Sequence, residues 1–103
     1  MPDRQPMEGK KVMQDLEKLR EEIDKIDDEI LIQLSKRKSI VKEIAKIKKK
    51  LGKPIFDGKR EQQLIEKLKS VSNEKGLDKD FIGSLYEIII KNSKEEQEKI
   101  VKR

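Results

Sequence analysis

The sequence predicts an all-α fold with three helices per chain, in the order long, short, long, that pair with a second copy of the chain. The main observation is a heptad pattern from Leu16 to Leu51, with aliphatic side chains at nearly every a and d position. Helices with this pattern pack along one another through a continuous nonpolar seam. The predicted seam consists of Leu16, Leu19, Ile23, Ile26, Ile30, Gln33, Arg37, Ile40, Ile44, Ile47 and Leu51. No alternating strand pattern and no internal repeat accompany it.

The first helix is expected over about residues 13–50, because Gly52 and Pro54 form a strong stop signal. Residues 1–12 contain two prolines and a glycine without periodicity, so they are predicted to be a flexible leader to a helical domain at 13–103. A helix of about 37 residues is roughly 55 Å long. The remaining half of the chain is too short to cover such a seam, which favours a second copy as partner.

Two shorter helices are expected after this stop. Asp57 is a suitable N-cap for a helix over about residues 58–71, and Asp78 for one that runs to about residue 101, with a loop at 72–76 between them. The buried face predicted for the second helix is Leu64, Ile65 and Leu68. The inward residues predicted for the third are Phe81, Ile82, Leu85, Tyr86, Ile88 and Ile89.

The composition excludes several classes of function. Only 33% of the residues are hydrophobic and 46% are charged, so one copy alone has a thin core. The net charge is +5, but lysines and glutamates are interleaved, and three aromatic residues are too few for a base-stacking platform, so nucleic-acid binding is not expected. No run is long and apolar enough for a membrane span or a signal peptide, which predicts a cytoplasmic protein.

The residue types also limit the chemistry. Histidine and cysteine are both absent, which removes the usual general base, the usual zinc ligands and the thiolate nucleophile. No glycine-rich phosphate loop is present. An enzyme with this composition is expected to use fixed positive charge and to need little proton transfer.

Arg37 interrupts the aliphatic seam, together with Gln33. A guanidinium in a nonpolar seam needs an anion, because burying an unpaired charge is very costly. Two interpretations remain open: an arginine that sets the register or extends to the surface, and a buried pocket for an anionic ligand.

Other polar residues fall on faces that should be hydrophobic. Lys48 is eleven positions after Arg37 and therefore lies on the same helix face, about 16 Å along the axis. Ser93 and Gln97 continue the inward stripe of the third helix. Either one alone is unremarkable, but together with Arg37, Gln33 and Lys48 they are consistent with the lining of one polar cavity.

Arg20 lies seventeen positions before Arg37, about 25 Å along the helix, so both cannot reach one small ligand within a chain. It is either a surface charge paired with a nearby glutamate, or, in an antiparallel pair of long helices, a neighbour of residues 37–48 of the other copy.

Over about residues 14–101 the chain resembles the all-helical class of chorismate mutase. The similar segments are LREEIDKIDDEILIQLSKR at 19–37, IAKIK at 44–48, PIFDGKRE at 54–61 and IIIKNSKEEQ at 88–97. The resemblance implies an intertwined homodimer with two active sites. It also implies the rearrangement of chorismate to prephenate, which feeds phenylalanine and tyrosine synthesis and needs no acid, base, metal or cofactor.

The resemblance also implies a role for each polar residue at the matching positions. Arg37 and Arg20 of the partner subunit are expected to bind the two substrate carboxylates, helped by Ser93. Lys48 and Gln97 are expected to donate hydrogen bonds to the ether oxygen. By the same resemblance, Glu61, with the chain near Asp57, is expected to hold the ring hydroxyl, and Arg60 is expected to lie at the edge of the site. Two alternatives remain: Asp57 can be simply an N-cap, and Arg60 can be a surface charge.

Two other functions fit the same residues. One is a lyase that releases pyruvate from isochorismate, which shares this fold and cationic pocket. The other is a non-catalytic helical module for dimerisation or regulation. Product analysis separates the first from the mutase, and an alanine at Lys48 or Gln97 without effect indicates the second.

Overall fold

The computed structural model describes the backbone of residues 6–103 and the side chains from Glu8 onward. In this range the chain forms three helices and no strand: α1 (Pro6–Leu51), α2 (Gly58–Glu74) and α3 (Lys79–Val101). The all-α prediction and the order long, short, long are therefore confirmed. No described helix is long and apolar enough to cross a membrane.

The first helix begins earlier than the sequence analysis predicted. It starts at Pro6 rather than near Met13, so residues 6–12 are helical. Proline is well suited to the first helical position, where its missing N–H has no intrahelical partner to lose, and Glu8 adds a favourable charge in the first turn. Residues 1–5 of the predicted leader lie outside the described residues, and its flexibility stays a prediction.

The predicted helix ends rest on identifiable caps. Gly52 follows α1 with a φ of 66°, and the Lys53 amide donates to the Lys48 carbonyl at 2.9 Å, which closes the last turn. The α2 helix runs past the predicted residue 71 to Glu74, because Gly76, with a φ of 71°, supplies the left-handed residue that ends it. The N-cap roles of Asp57 and Asp78 are confirmed.

Contacts divide the chain after Lys36 into two units. In the first, the described residues form one stretch of α1 whose large nonpolar side chains, from Val12 to Leu34, are each at least 39% exposed. They include every aliphatic residue predicted for this part of the seam.

The second unit contains the end of α1 with α2 and α3. In its part of α1, Val41 and Ala45 are buried within one chain, whereas the seam residues Ile40 and Ile47 are more than half exposed, so their predicted contact with a second copy stays a prediction. An α-helix has 3.6 residues per turn, so Val41 and Ala45 form a nonpolar stripe next to the predicted seam. The second unit buries this stripe, which the heptad pattern did not identify.

The inward face predicted for α3 is corrected at three positions. Phe81 and Ile88, both predicted to face inward, are 60% and 68% exposed, and Leu85 is also exposed. The buried positions on α3 are Gly83, Ile90, Ser93 and Gln97. Among the described residues of one chain, the buried nonpolar side chains are Val41, Ala45 and Ile90. This is a small core for a stable domain.

Candidate functional site

The second unit contains a cavity of about 290 Å³ between the end of α1, the start of α2 and the last turns of α3. Its volume is near the lower end of small-molecule sites. The lining residues are Arg37, Val41, Ile44, Lys48, Ile55, Asp57, Arg60, Glu61, Leu64, Ile90, Ser93, Lys94 and Gln97. Seven of the eight predicted site residues are among them. The charged lining residues are four cations and two carboxylates, an excess of positive charge that suits an anionic ligand.

Arg37 enters this cavity from α1 and is held by α3. Its Nη1 donates to Ser93 Oγ, and Ser93 Oγ in turn donates to the Ile89 carbonyl oxygen at 2.9 Å. A serine hydroxyl has one proton, so this bond to Ile89 leaves Ser93 as an acceptor for Arg37. The arrangement aims the guanidinium and keeps its other N–H groups for a ligand. This favours the anion-binding interpretation of Arg37.

Lys48 and Gln97 form the second polar group of the cavity. Lys48 Nζ donates to Gln97 Oε1 at 2.9 Å and to the Ile55 carbonyl oxygen at 3.0 Å. An ammonium has three N–H donors, so one remains for a ligand. Because Lys48 can only donate, the Gln97 oxygen must face it, and the Gln97 amide N–H groups remain as donors as well. The pair is therefore a preorganised set of hydrogen-bond donors.

The start of α2 brings the third group to the cavity. Asp57 Oδ1 accepts from the Arg60 backbone amide at 3.0 Å, which caps the helix and fixes the first turn. Glu61 lies in that turn, and its Oε1 pairs with Lys94 Nζ of α3 at 2.8 Å. The expected acid, Glu61, is therefore held by a cation that the sequence analysis did not identify. With 26 lysines and arginines in the chain, no sequence signal distinguishes Lys94 from the others.

Two predicted residues are placed elsewhere. Gln33 was expected to line the cavity, but its Nε2 donates to Glu29 Oε1 at 3.0 Å along its own helix. The reason is the i,i+4 spacing, which makes Glu29 its nearest partner. Arg20 pairs with Glu17 at 3.1 Å on the exposed surface of one chain, and its predicted place beside residues 37–48 of a second copy stays a prediction.

Glu96, next to Gln97, links α3 to α1. A hydrogen bond from Lys99 is the main cause that lowers the pKa of Glu96 below its usual 4.5; attraction by Lys38, Lys99 and Lys42 acts in the same direction and desolvation against it. Lys38 Nζ is 3.7 Å from Glu96 Oε1. Because the folded-state pKa is lowered, this carboxylate stabilises the fold at pH values above 4.5, and the effect is lost as the pH falls through the lowered pKa.

Metal binding finds no support in the described part of the chain. In residues 6–103 no group of three or more possible ligands of the His, Cys, Asp and Glu types lies close enough together to hold a metal ion. The cavity combines its two carboxylates with four cations and the Gln97 amide, and this excess of positive charge is suited to electrostatic stabilisation of an anion.

Comparison with known proteins identifies the family of this chain. Residues 19–98 match the family described as chorismate mutase type II. A chorismate mutase of Methanocaldococcus jannaschii is 31% identical over 83 residues, which cover 81% of this chain and 84% of that protein. The bifunctional chorismate mutase/prephenate dehydratase of Buchnera aphidicola is 38% identical over 86% of this chain, and that of Aquifex aeolicus is 42% identical over 60% of it.

The coverage of the relatives differs. This chain corresponds to only 23% of the Buchnera protein and 17% of the Aquifex protein, so it aligns with a fraction of each bifunctional relative. The match to residues 19–98 extends over most of the chain and includes every lining residue of the cavity. The chain therefore belongs to the type II chorismate mutase family.

Proposed function

We propose that this chain is a cytoplasmic isomerase that converts chorismate to prephenate for phenylalanine and tyrosine synthesis. The observation that carries the proposal is a single cavity, in a chain of this family, that combines Arg37 with the Lys48–Gln97 pair. The reaction is unimolecular: the ether C–O bond breaks while a C–C bond forms between the enolpyruvyl group and the ring. No proton is transferred, so a site without histidine or cysteine is sufficient.

The donors would act on the ether oxygen. Negative charge grows there as the C–O bond breaks, and the remaining N–H groups of Lys48 and Gln97 would stabilise it. Donors that are fixed before the reaction stabilise the transition state more than the ground state, because they need no reorganisation. Holding the side chain over the ring supplies a further part of the rate.

The positive residues would bind the substrate. Arg37, aimed by Ser93, is suited to one carboxylate, and we assign the other to Arg20 of the partner subunit in a homodimer. The exposed nonpolar residues from Val12 to Leu34 support such a dimer, since a lone chain leaves them in water. Glu61 and Arg60 also line the cavity, and we assign Glu61 to the ring hydroxyl and Arg60 to the edge of the substrate.

The direct test is to add chorismate to the purified protein with and without a chelator. The loss of chorismate is followed, and prephenate is identified among the products. Isochorismate is supplied in a parallel reaction. Prephenate formation that is insensitive to the chelator supports the proposal. Pyruvate release from isochorismate without prephenate formation would instead indicate the lyase, and a folded protein that converts neither substrate would indicate the non-catalytic module.

The proposed role of Gln97 predicts a particular pH dependence. An amide donates at any pH, so kcat is expected to be constant across neutral pH in the native protein. In Gln97→Glu the new carboxyl can donate only when protonated, so kcat should fall about tenfold for each pH unit above its pKa. The measurement is kcat from pH 5 to pH 9 in both proteins. Identical profiles would contradict a donor role for Gln97.

A further inference from the structure

Lys94 takes part in the cavity but has no role in the mechanism described above. It follows Ser93 on α3 and lines the cavity wall. Its ammonium pairs with Glu61 Oε1 at 2.8 Å, and the two side chains are only 31% and 25% exposed. Charges that are partly removed from water interact more strongly than exposed ones. The pair therefore belongs to the site and is not an ordinary surface ion pair.

Phe56 is a second neighbour of the Lys94 ammonium. Lys94 Nζ lies 4.6 Å from the centroid of the Phe56 ring, a distance at which a cation is attracted to the ring face. The ring itself lies against Gly58, where an added Cβ would come within 3.0 Å of Phe56 Cζ. Gly58 thus leaves room for the ring, the ring contacts the ammonium, and the ammonium holds Glu61.

Glu61 presents an electrostatic difficulty for the proposed substrate. Its carboxylate lines the cavity that is proposed to bind a dianion, and two negative charges in one small cavity repel each other. The Lys94 ammonium, paired with Glu61, offsets that repulsion. A carboxylate also accepts several hydrogen bonds, so its pairing with Lys94 is compatible with a bond from the ring hydroxyl.

We infer that Lys94 is a positioning residue of this site: through its ion pair it holds Glu61 in the cavity wall and offsets its charge, so that a dicarboxylate can bind beside it. The inference rests on the proposed function. It assigns Lys94 to substrate binding and not to the bond-breaking step, and it makes the effect of Lys94 depend on the charge of Glu61.

The test is a double-mutant cycle of Lys94→Met and Glu61→Gln, with KM and kcat for chorismate measured for all four proteins. Lys94→Met is expected to raise KM about three- to tenfold with kcat within about twofold, because a partly exposed charge pair contributes modestly and acts before the transition state. In the Glu61→Gln background the same change should alter KM by less than about twofold. Lys94→Arg should restore most of the affinity.

Two controls distinguish this effect from a general change in surface charge and from a loss of folding. Lys91→Met removes an exposed lysine of α3 that is not a lining residue of the cavity, and it should leave KM unchanged. Circular dichroism verifies that each variant is helical, and Lys94→Gln replaces Lys94→Met in the cycle if the latter does not fold.

Each remaining outcome has a defined meaning. An equal rise of KM in both Glu61 backgrounds would overturn the inference, since Lys94 would then attract the substrate directly. An unchanged KM in Lys94→Met would overturn it as well, while native turnover of chorismate left the proposed function intact. Absence of turnover in the native protein would remove the proposed function and the inference together.

Discussion

Replacing Lys48 with alanine is expected to lower kcat by about two to three orders of magnitude, the usual loss when one preorganised donor to a developing negative charge is removed. The loss should appear in kcat more than in KM, because the ether oxygen gains its charge only in the transition state. The measurement is steady-state kinetics with chorismate, with prephenate quantified.

Lys46→Ala provides the matched control for this experiment. Lys46 lies two residues before Lys48 on α1, pairs with Glu43 at 3.0 Å, and is exposed. Its removal should leave kcat unchanged. Lys48 also holds the Ile55 carbonyl, so the melting temperature of Lys48→Ala should be measured and the kinetics taken well below it. A well-folded Lys48→Ala protein with native kcat would rule out its proposed role at the ether oxygen.

Arg20→Ala and Arg37→Ala should each be nearly inactive as homodimers, yet regain activity when combined. If Arg20 of the partner subunit completes each site, a heterodimer of the two variants has one site that contains both arginines and one that contains neither. Purified heterodimers should therefore show about half of the native activity per dimer, because uncoupled sites contribute additively.

The heterodimers are prepared with two different affinity tags, and their size is verified by sedimentation before the assay. A mixture of Arg37→Ala with Arg37→Ala under the second tag is the matched control and should stay inactive. Verified heterodimers without recovery would contradict the shared site. A protein that sediments at the single-chain mass of 12.1 kDa would contradict the dimer itself.

The sequence was informative about the helices because their signals are local. Asp57, Asp78 and Gly52 act on the turn next to them, and each has the role that was predicted. The start of α1 was predicted too late because two prolines, a glycine and a lack of periodicity in residues 1–12 indicated a leader, although a proline at the first position of a helix costs nothing in hydrogen bonds.

The site was predictable where polar residues occupy positions with a nonpolar period. Arg37, Ser93 and Gln97 stand out in this way, and the structure brings them to one cavity. Gln33 meets the same criterion, but its partner is Glu29 on the same helix. A periodic pattern identifies a face, and it does not tell which neighbour that face meets.

Other features depend on packing between distant segments. The burial of Val41 in preference to Ile40 reflects how the end of α1 lies within the second unit, and both residues are equally suitable by type. Lys94 was not identified because its role depends on the positions of Glu61 and Phe56, which are more than thirty residues away in the sequence. Such contacts leave no periodic signal in a lysine-rich helix.

The nonpolar surface from Val12 to Leu34 has a consequence for how the protein would respond to dilution. In the proposed dimer, folding and association are linked equilibria, and the free energy of unfolding depends on the concentration of the chain. Newly made chains would be inactive until they meet, so the onset of activity during synthesis would follow the square of the concentration of free chains. Specific activity in dilute solution would then measure the association constant directly.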